Sequence, residues 1–306
     1  MNASVAQPRP DNSTTVRTPP GPDPLALRAT RGALGILSRV APEGAAAVAE
    51  RMFLTPRRRP RPDAEWDVLL TGEHVVLPTR HGDLAAWEWG SDGPRVLLVH
   101  GWEGRGSQLG GLVAPLTALG FRVATFDAPA HGDSPGRRSS LFHFADAIES
   151  AAQVFGPLHG IVTHSMGGAS ALWAYRDGPL AARTVMIAPP VDLRDFTRTL
   201  STTLSLPERV RQRVHRRLGA RFGVPVEQVR AERLARTMCG PLLVIHDEND
   251  REVPIACGEA VASAWPGAEL LRTRGLGHQR ILRGADTLRA VVRFVAQRAV
   301  PAKGAA

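Results

Sequence analysis

From about residue 66 onward, unbroken apolar runs alternate with stretches in which apolar residues recur every three or four positions. The run "RVLLVHG" (95–101) is rich in leucine and β-branched residues, the pattern of a strand covered on both faces. Leu109, Leu112, Val113 and Leu116 then fall at i, i+3, i+4 and i+7. That is one stripe of a helix, which Ser107 is placed to cap and Gly120 to end. "RVATFDA" reads as the next strand, and Phe144, Ile148, Ala151 and Phe155 line the next helix. The alternation goes on through "GIVTHS", "GGASALWAY" and "RTVMIAP". After an interruption it resumes with "PLLVIHD", "PIACGEAVASAW", "AELLRT" and a last helix marked by Leu288, Val291, Val292 and Val295. Upstream, "HVVLPT" and "LAAWEWG" flank "RHGD", a hairpin with Gly82 in its turn. Strands alternating with helices predict parallel βαβ units in a doubly wound α/β sheet.

The flanking segments read differently. Residues 1–65 form an N-terminal arm. Its first 24 residues are polar and proline-rich and are expected to be disordered. Two short helices follow in "PLALRATRGALGILSRV" and "PEGAAAVAERMFLTP", then the run "RRRPRP" (57–62), expected to be a solvated linker. The body spans 66–306, interrupted at about 191–237 by the arginine-rich "PERVRQRVHRRLGARF". There Val210, Val214 and Leu218 share one stripe and the arginines face elsewhere. An insertion at the C-terminal end of a strand reads as a small helical cap over the ligand-binding edge of the sheet.

Charge sharpens this division. The chain carries +9, of which residues 1–65 hold +4 and residues 191–237 hold +6, leaving −1 for the remainder. The basicity therefore belongs to two segments and not to the body. The arginines lack interleaved aromatic residues, which argues against nucleic-acid binding. They leave room for an anionic substrate or merely keep the cap soluble. No apolar run is long enough to cross a membrane, and the N-terminus has no apolar signal-like core. Cys239 and Cys257 make no framework or metal spacing. Together these features point to a cytoplasmic protein.

The candidate chemistry lies at "GIVTHSMGG" (160–168). Ser165 ends a strand and opens a helix, the context of a nucleophile elbow, although Thr163 stands where the G-x-S-x-G pattern has its first glycine. Gly167 and Gly168 supply the small residues that the tight turn needs. A serine hydroxyl requires a base, and the base an orienting acid, in the chain order Ser, acid, His. His278, in "RGLGHQRIL", is the base candidate; Asp250 is the preferred acid, with Asp247 and Glu248 as rivals. The oxyanion donors are expected to be the backbone N–H groups of Met166 and Trp102. Trp102 and Arg105 are the pocket candidates, and Glu103 is a candidate partner for Arg105. His131 and Asp133, in "FDAPAHGDS", read as structural loop residues.

"LLVHGW", "FDAPAHGDS", "THSMGG", "HDENDREVP" and "GLGHQ", in this order, resemble the α/β-hydrolase superfamily over roughly 66–306 less the cap. The resemblance implies an eight-stranded, mostly parallel sheet with helices on both faces. It also implies a Ser-Asp-His triad with no metal and no organic cofactor. The substrate expected is a small-molecule carboxylic ester or thioester, cleaved through an acyl-enzyme on Ser165. Serine at 165 disfavours the branches that use an aspartate nucleophile. An acyltransferase with the same triad and a non-catalytic binding protein on this scaffold are the alternatives.

Overall fold

The computed structural model describes residues 24–297. In chain order, helices α1 (Pro24–Val40), α2 (Pro42–Phe53) and α3 (Asp63–Leu69) precede the hairpin strands β1 (Glu73–Leu77) and β2 (Leu84–Trp89). Then come β3 (Arg95–Val99), α4 (Val113–Ala118), β4 (Arg122–Phe126), α5 (Leu141–Phe155), β5 (Leu158–His164), α6 (Met166–Ala174) and β6 (Ala181–Ile187). Helices α7 (Leu193–Thr203), α8 (Glu208–Phe222) and α9 (Ala231–Ala235) follow. The chain closes with β7 (Leu242–Asp247), α10 (Ile255–Ala264), β8 (Glu269–Thr273), α11 (Gly277–Arg280) and α12 (Ala285–Ala296).

The chain divides into two compact units, one built from residues up to Pro56 together with Asp192–Arg230, the other from Arg57–Val191 and Ala231 onward. The second unit is the body. Its eight strands are ordered β1-β2-β4-β3-β5-β6-β7-β8. β2 runs antiparallel to β1 and β4, and the pairs from β4 through β8 are parallel. The parallel strands therefore end at one rim, where their loops converge. Alternation along each strand sorts the core into two layers. Leu97 and Val99 of β3 join Phe144, Ile148 and Leu172, whereas Val96 and Leu98 join Leu116, Val291 and Phe294.

Three boundaries differ from the sequence expectation. The Leu109–Leu116 stripe is buried, but its first part is a 3-10 helix (Gly106–Leu112) that passes into α4. Ser107 does not cap it, because its hydroxyl donates to Glu65 at 2.7 Å. The cap expected over 191–237 gives up its last turn: Ala231 and Ala235 of α9 are buried in the body core. The linker 57–62 belongs to the body and is not a solvated spacer, as the site below shows. The expectation for residues 1–24 falls outside the described residues, except that Pro24 begins α1.

The helical unit explains the basic insertion. Val210, Val214 and Leu218 of α8 are buried, as their spacing requires. The arginines on the next face meet the first two helices. Arg213 bonds Glu43, Arg217 and Arg221 both bond Glu50, and Arg209 donates to the Ser38 carbonyl. Burial pushes the Glu50 carboxyl up, but the two guanidinium partners outweigh it and hold it below its ordinary range. Much of the basicity of α8 is therefore internal to this unit.

Candidate active site

Ser165 sits between β5 and α6 with φ 50° and ψ −123°, a strained conformation for a residue with a Cβ. Its N–H donates to Ile187 O at 2.9 Å, and its carbonyl accepts from Gly168 N at 2.8 Å. The turn closes because its neighbours are glycines. A Cβ on Gly167 would lie 2.6 Å from His100 O and 3.0 Å from Val99 O. A Cβ on Gly101 would lie 2.9 Å from the Ser165 Cβ. The elbow and the loop after β3 are thus in backbone contact. Thr163 fits inside the sheet, fully buried, with its hydroxyl donating to Val185 O at 3.1 Å. Gly168 makes that fit possible, since a Cβ there would lie 3.3 Å from Thr163 Oγ1.

This contact sets the two N–H donors near the serine. Trp102 follows Gly101, and Met166 opens α6. Among the described residues neither N–H is engaged by a backbone carbonyl. The half-buried Trp102 ring stands edge-on to His131 at 5.1 Å between centroids.

Asp250 lies in the turn after β7 with its carboxylate buried. Oδ1 accepts from the N–H groups of Glu252 and Val253 at 2.8 and 2.9 Å. Oδ2 accepts from His278 Nδ1 at 2.7 Å. Burial pushes this carboxyl up, but hydrogen bonding from His246, His278 and the Val253 N–H outweighs it and holds the group well below the carboxylate range. The His246 contact is the looser one: its Nε2 is 3.6 Å from Asp250 Oδ2 and donates to Val253 O at 2.9 Å. With Nδ1 donating to Asp250, His278 Nε2 keeps a lone pair. The imidazole is also tied to the elbow, because His164 Nε2 donates to His278 O at 3.0 Å and the two rings are 4.7 Å apart. Ser165 Oγ makes no hydrogen bond among the described residues.

The rivals of Asp250 are engaged elsewhere. Asp247 accepts from Asn249 N, Thr273 Oγ1 and Leu276 N at 2.9–3.0 Å, binding the acid loop to the histidine loop. Glu248 pairs with Arg274. Arg105, a pocket candidate from sequence, is buried against Glu65 at 2.6 and 3.0 Å and does not offer its guanidinium to a substrate. Glu103 does not pair with Arg105 but faces Arg57 and Arg59.

Sequence reading gave no chemistry to three buried histidines. Burial pushes His164 down to about 3 and His131 down to about 4, and holds His100 well below the imidazole range, so all three are neutral near pH 7. His100 Nδ1 donates to Gly101 O at 2.7 Å while its Nε2 accepts from Ala128 N at 3.0 Å, joining the loops after β3 and β4. The histidine before the serine was visible as "THS", but its reach to residue 278 was not. A surface cleft of about 940 Å³ along α12 and β8, lined by Leu271, Leu288 and Arg293, includes none of these residues. Among the described residues no group of three or more His, Cys, Asp or Glu side chains is arranged to hold a metal ion. No described helix is long and apolar enough to cross a membrane.

Comparison with known proteins agrees with this architecture. A family model described as "Alpha/beta hydrolase family" matches residues 96–294. A pimeloyl-[acyl-carrier protein] methyl ester esterase of Xanthomonas campestris is 30% identical over 250 residues, covering 67% of this chain and 96% of that protein. The enzyme of the same name from Aromatoleum aromaticum is 29% identical, over 62% of this chain and 92% of its own. Among solved structures, an esterase of Pyrococcus furiosus has a TM-score of 0.60 at 20% identity, covering 79% of this chain and 98% of its own.

Proposed function

Because the chain belongs to the alpha/beta hydrolase family and is a serine ester hydrolase, we propose that Ser165 is its nucleophile, His278 its general base and Asp250 the acid that orients the imidazole. The Ser165 hydroxyl proton passes to His278 Nε2 as Oγ bonds the carbonyl carbon. The Trp102 and Met166 N–H groups take the oxyanion. Collapse breaks the bond to the alcohol, or to the thiol of a thioester, and the leaving group takes the proton from His278. Water, deprotonated by the same imidazole, then releases the acid. One observation supports this reading above the others: the buried Asp250 carboxylate, fixed by two backbone donors, lies 2.7 Å from His278 Nδ1.

The substrate class in this reading is an ester of a carboxylic acyl chain. The relatives named for a methyl ester on an acyl-carrier protein make carrier-borne or phosphopantetheine-linked acyl groups the first to try. An anionic carrier is part of the proposal, although Arg213, Arg217 and Arg221 already have carboxylate partners. If charge steers the substrate, hydrolysis of an acyl-phosphopantetheine thioester slows steeply as salt rises. A flat response removes steering. A cytoplasmic setting fits the two free cysteines.

The test is a chain-length panel of aryl esters, methyl esters and acyl thioesters, run beside Ser165→Ala and His278→Ala, with fluorophosphonate labelling of each protein. Labelling and turnover that vanish in Ser165→Ala support the assignment. A folded wild-type protein that neither labels nor turns over any substrate overturns it.

A further inference from the structure

The basic run after α2 is bound to the two loops that frame the proposed oxyanion site. Arg58 donates to the carbonyls of Ala130, Gly132, Ser134 and Gly136 at 2.5–3.3 Å, gathering the loop after β4. Arg61, its side chain 4% exposed, bonds Asp127 at 3.0 Å, Asp133 at 2.6 Å and Ser107 Oγ at 3.2 Å. Its guanidinium also stacks on Trp66 at 4.4 Å. Asp127 in turn accepts from Gly106 N at 2.7 Å and Asp133 N at 2.8 Å. Glu65 takes both Arg105 and Ser107. Glu103 faces Arg57 and Arg59, and the Arg57 N–H reaches its carboxylate at 3.2 Å. Residues 103, 105, 106 and 107, the segment just after Trp102, are each held by this strap or by Asp127, which the strap engages.

We infer that residues 57–65 are a positioning element for catalysis, with Arg61 and Glu65 fixing the loop that presents the Trp102 N–H to the oxyanion. The inference rests on the triad reading above. Three features support it. Arg61, Asp127, Glu65, Arg105 and Ser107 are buried, so the geometry among them is fixed by charge-assisted hydrogen bonds and not averaged by solvent. Glu103, directly after Trp102, is held at φ 56°, a conformation that needs outside support in a residue with a side chain. A donor displaced by about 1 Å from a developing charge loses about 100-fold in rate. The strap acts through the loop and touches no reacting atom.

The experiment uses the full chain. Arg61→Lys keeps the charge and loses the fork; Glu65→Gln keeps the shape and loses the charge. For each, kcat and KM on an aryl ester are measured with the inhibition constant of a trifluoromethyl ketone that mimics the tetrahedral adduct. The expected result is a kcat lowered about 10- to 100-fold, KM within about twofold, and ketone binding weakened by the same factor as kcat. Glu103→Gln, which leaves the buried pairs intact, shifts in the same direction by less and serves if the buried variants do not fold. Folded variants with wild-type kcat, or a kcat loss without weaker ketone binding, overturn the inference while the triad stands. A wild-type protein with no turnover and no fluorophosphonate labelling overturns both.

Discussion

Thr163 is the one departure from the glycine pattern around the serine, and replacing it by glycine tests how this elbow is built. The side chain is fully buried in β5 and its hydroxyl bonds Val185 O at 3.1 Å. Thr163→Gly removes two buried carbons, the Cβ and its methyl, worth about 1.6 kcal/mol, and a hydrogen bond worth about 1 kcal/mol. It adds chain freedom in a strand, a further 0.5–1 kcal/mol or so. The sum is a destabilisation of about 3–4 kcal/mol, or roughly 6–16 °C in the melting of a body this size. Turnover per folded molecule stays within about twofold, because the tight contacts of the elbow fall on Gly101 and Gly167 and not on position 163. Thermal melts followed by circular dichroism, with kcat referred to fluorophosphonate-titrated sites, measure both quantities. A Thr163→Gly protein as stable as wild type, or one several-fold faster, would refute the view that the threonine is a packing residue within a sound elbow.

Three further outcomes follow from the same geometry. Asp250→Asn retains the fold but lowers kcat by about 10⁴-fold, since the amide no longer fixes the imidazole tautomer; steady-state kinetics with a folding check by circular dichroism decides it. Gly167→Ala drives a Cβ to 2.6 Å from the His100 carbonyl, where only backbone can yield. Its labelling rate falls by about 100-fold or more, read by fluorophosphonate kinetics. Glu50 has a folded pKa below its unfolded value of about 4.3, so its contribution is present above that pH and is lost as pH falls through the folded value. Urea titrations between pH 7 and 3 therefore show Glu50→Gln less stable than wild type at neutrality, with the difference closing below about pH 4.

The body was legible because its strands are doubly covered. "RVLLV" and "PLLVIHD" have no polar face to confuse the period, and the turn glycines separate them. Ser165, Asp250 and His278 follow β5, β7 and β8, parallel strands whose ends share one rim, so their order along the alternation was readable. The strap was not legible. Arg61 meets Asp127 across 66 positions, and Glu65 meets Arg105 across 40. A run such as "RRRPRP" has the composition of a solvated linker, and burial cannot be read from charge. The same reason hid the pairing of α8 with Glu50, 167 positions away from Arg217. The shift from α to 3-10 over Gly106–Leu112 escaped because both helices bring residues three apart to one side.

Strain in the body follows the same geography. Glu103, Ala130, Ser165 and Ala188 are the non-glycine residues of the body with positive φ among those described, and each lies one or four residues beyond the C-terminal end of β3, β4, β5 or β6. Each such conformation costs on the order of 1–3 kcal/mol. The cost is tolerated because each residue is tied to a neighbouring element: Ser165 N to Ile187 O, Ala188 N to Ile245 O, Ala130 O to Arg58, and Glu103 to Arg57. A doubly covered parallel sheet supplies the stiffness behind this rim, which in the proposed site would aim the Trp102 and Met166 N–H groups. Two of these supports, Arg57 and Arg58, come from the strap. The arginines of a run that reads as a solvated linker in the sequence are thus part of what holds the strained rim in place.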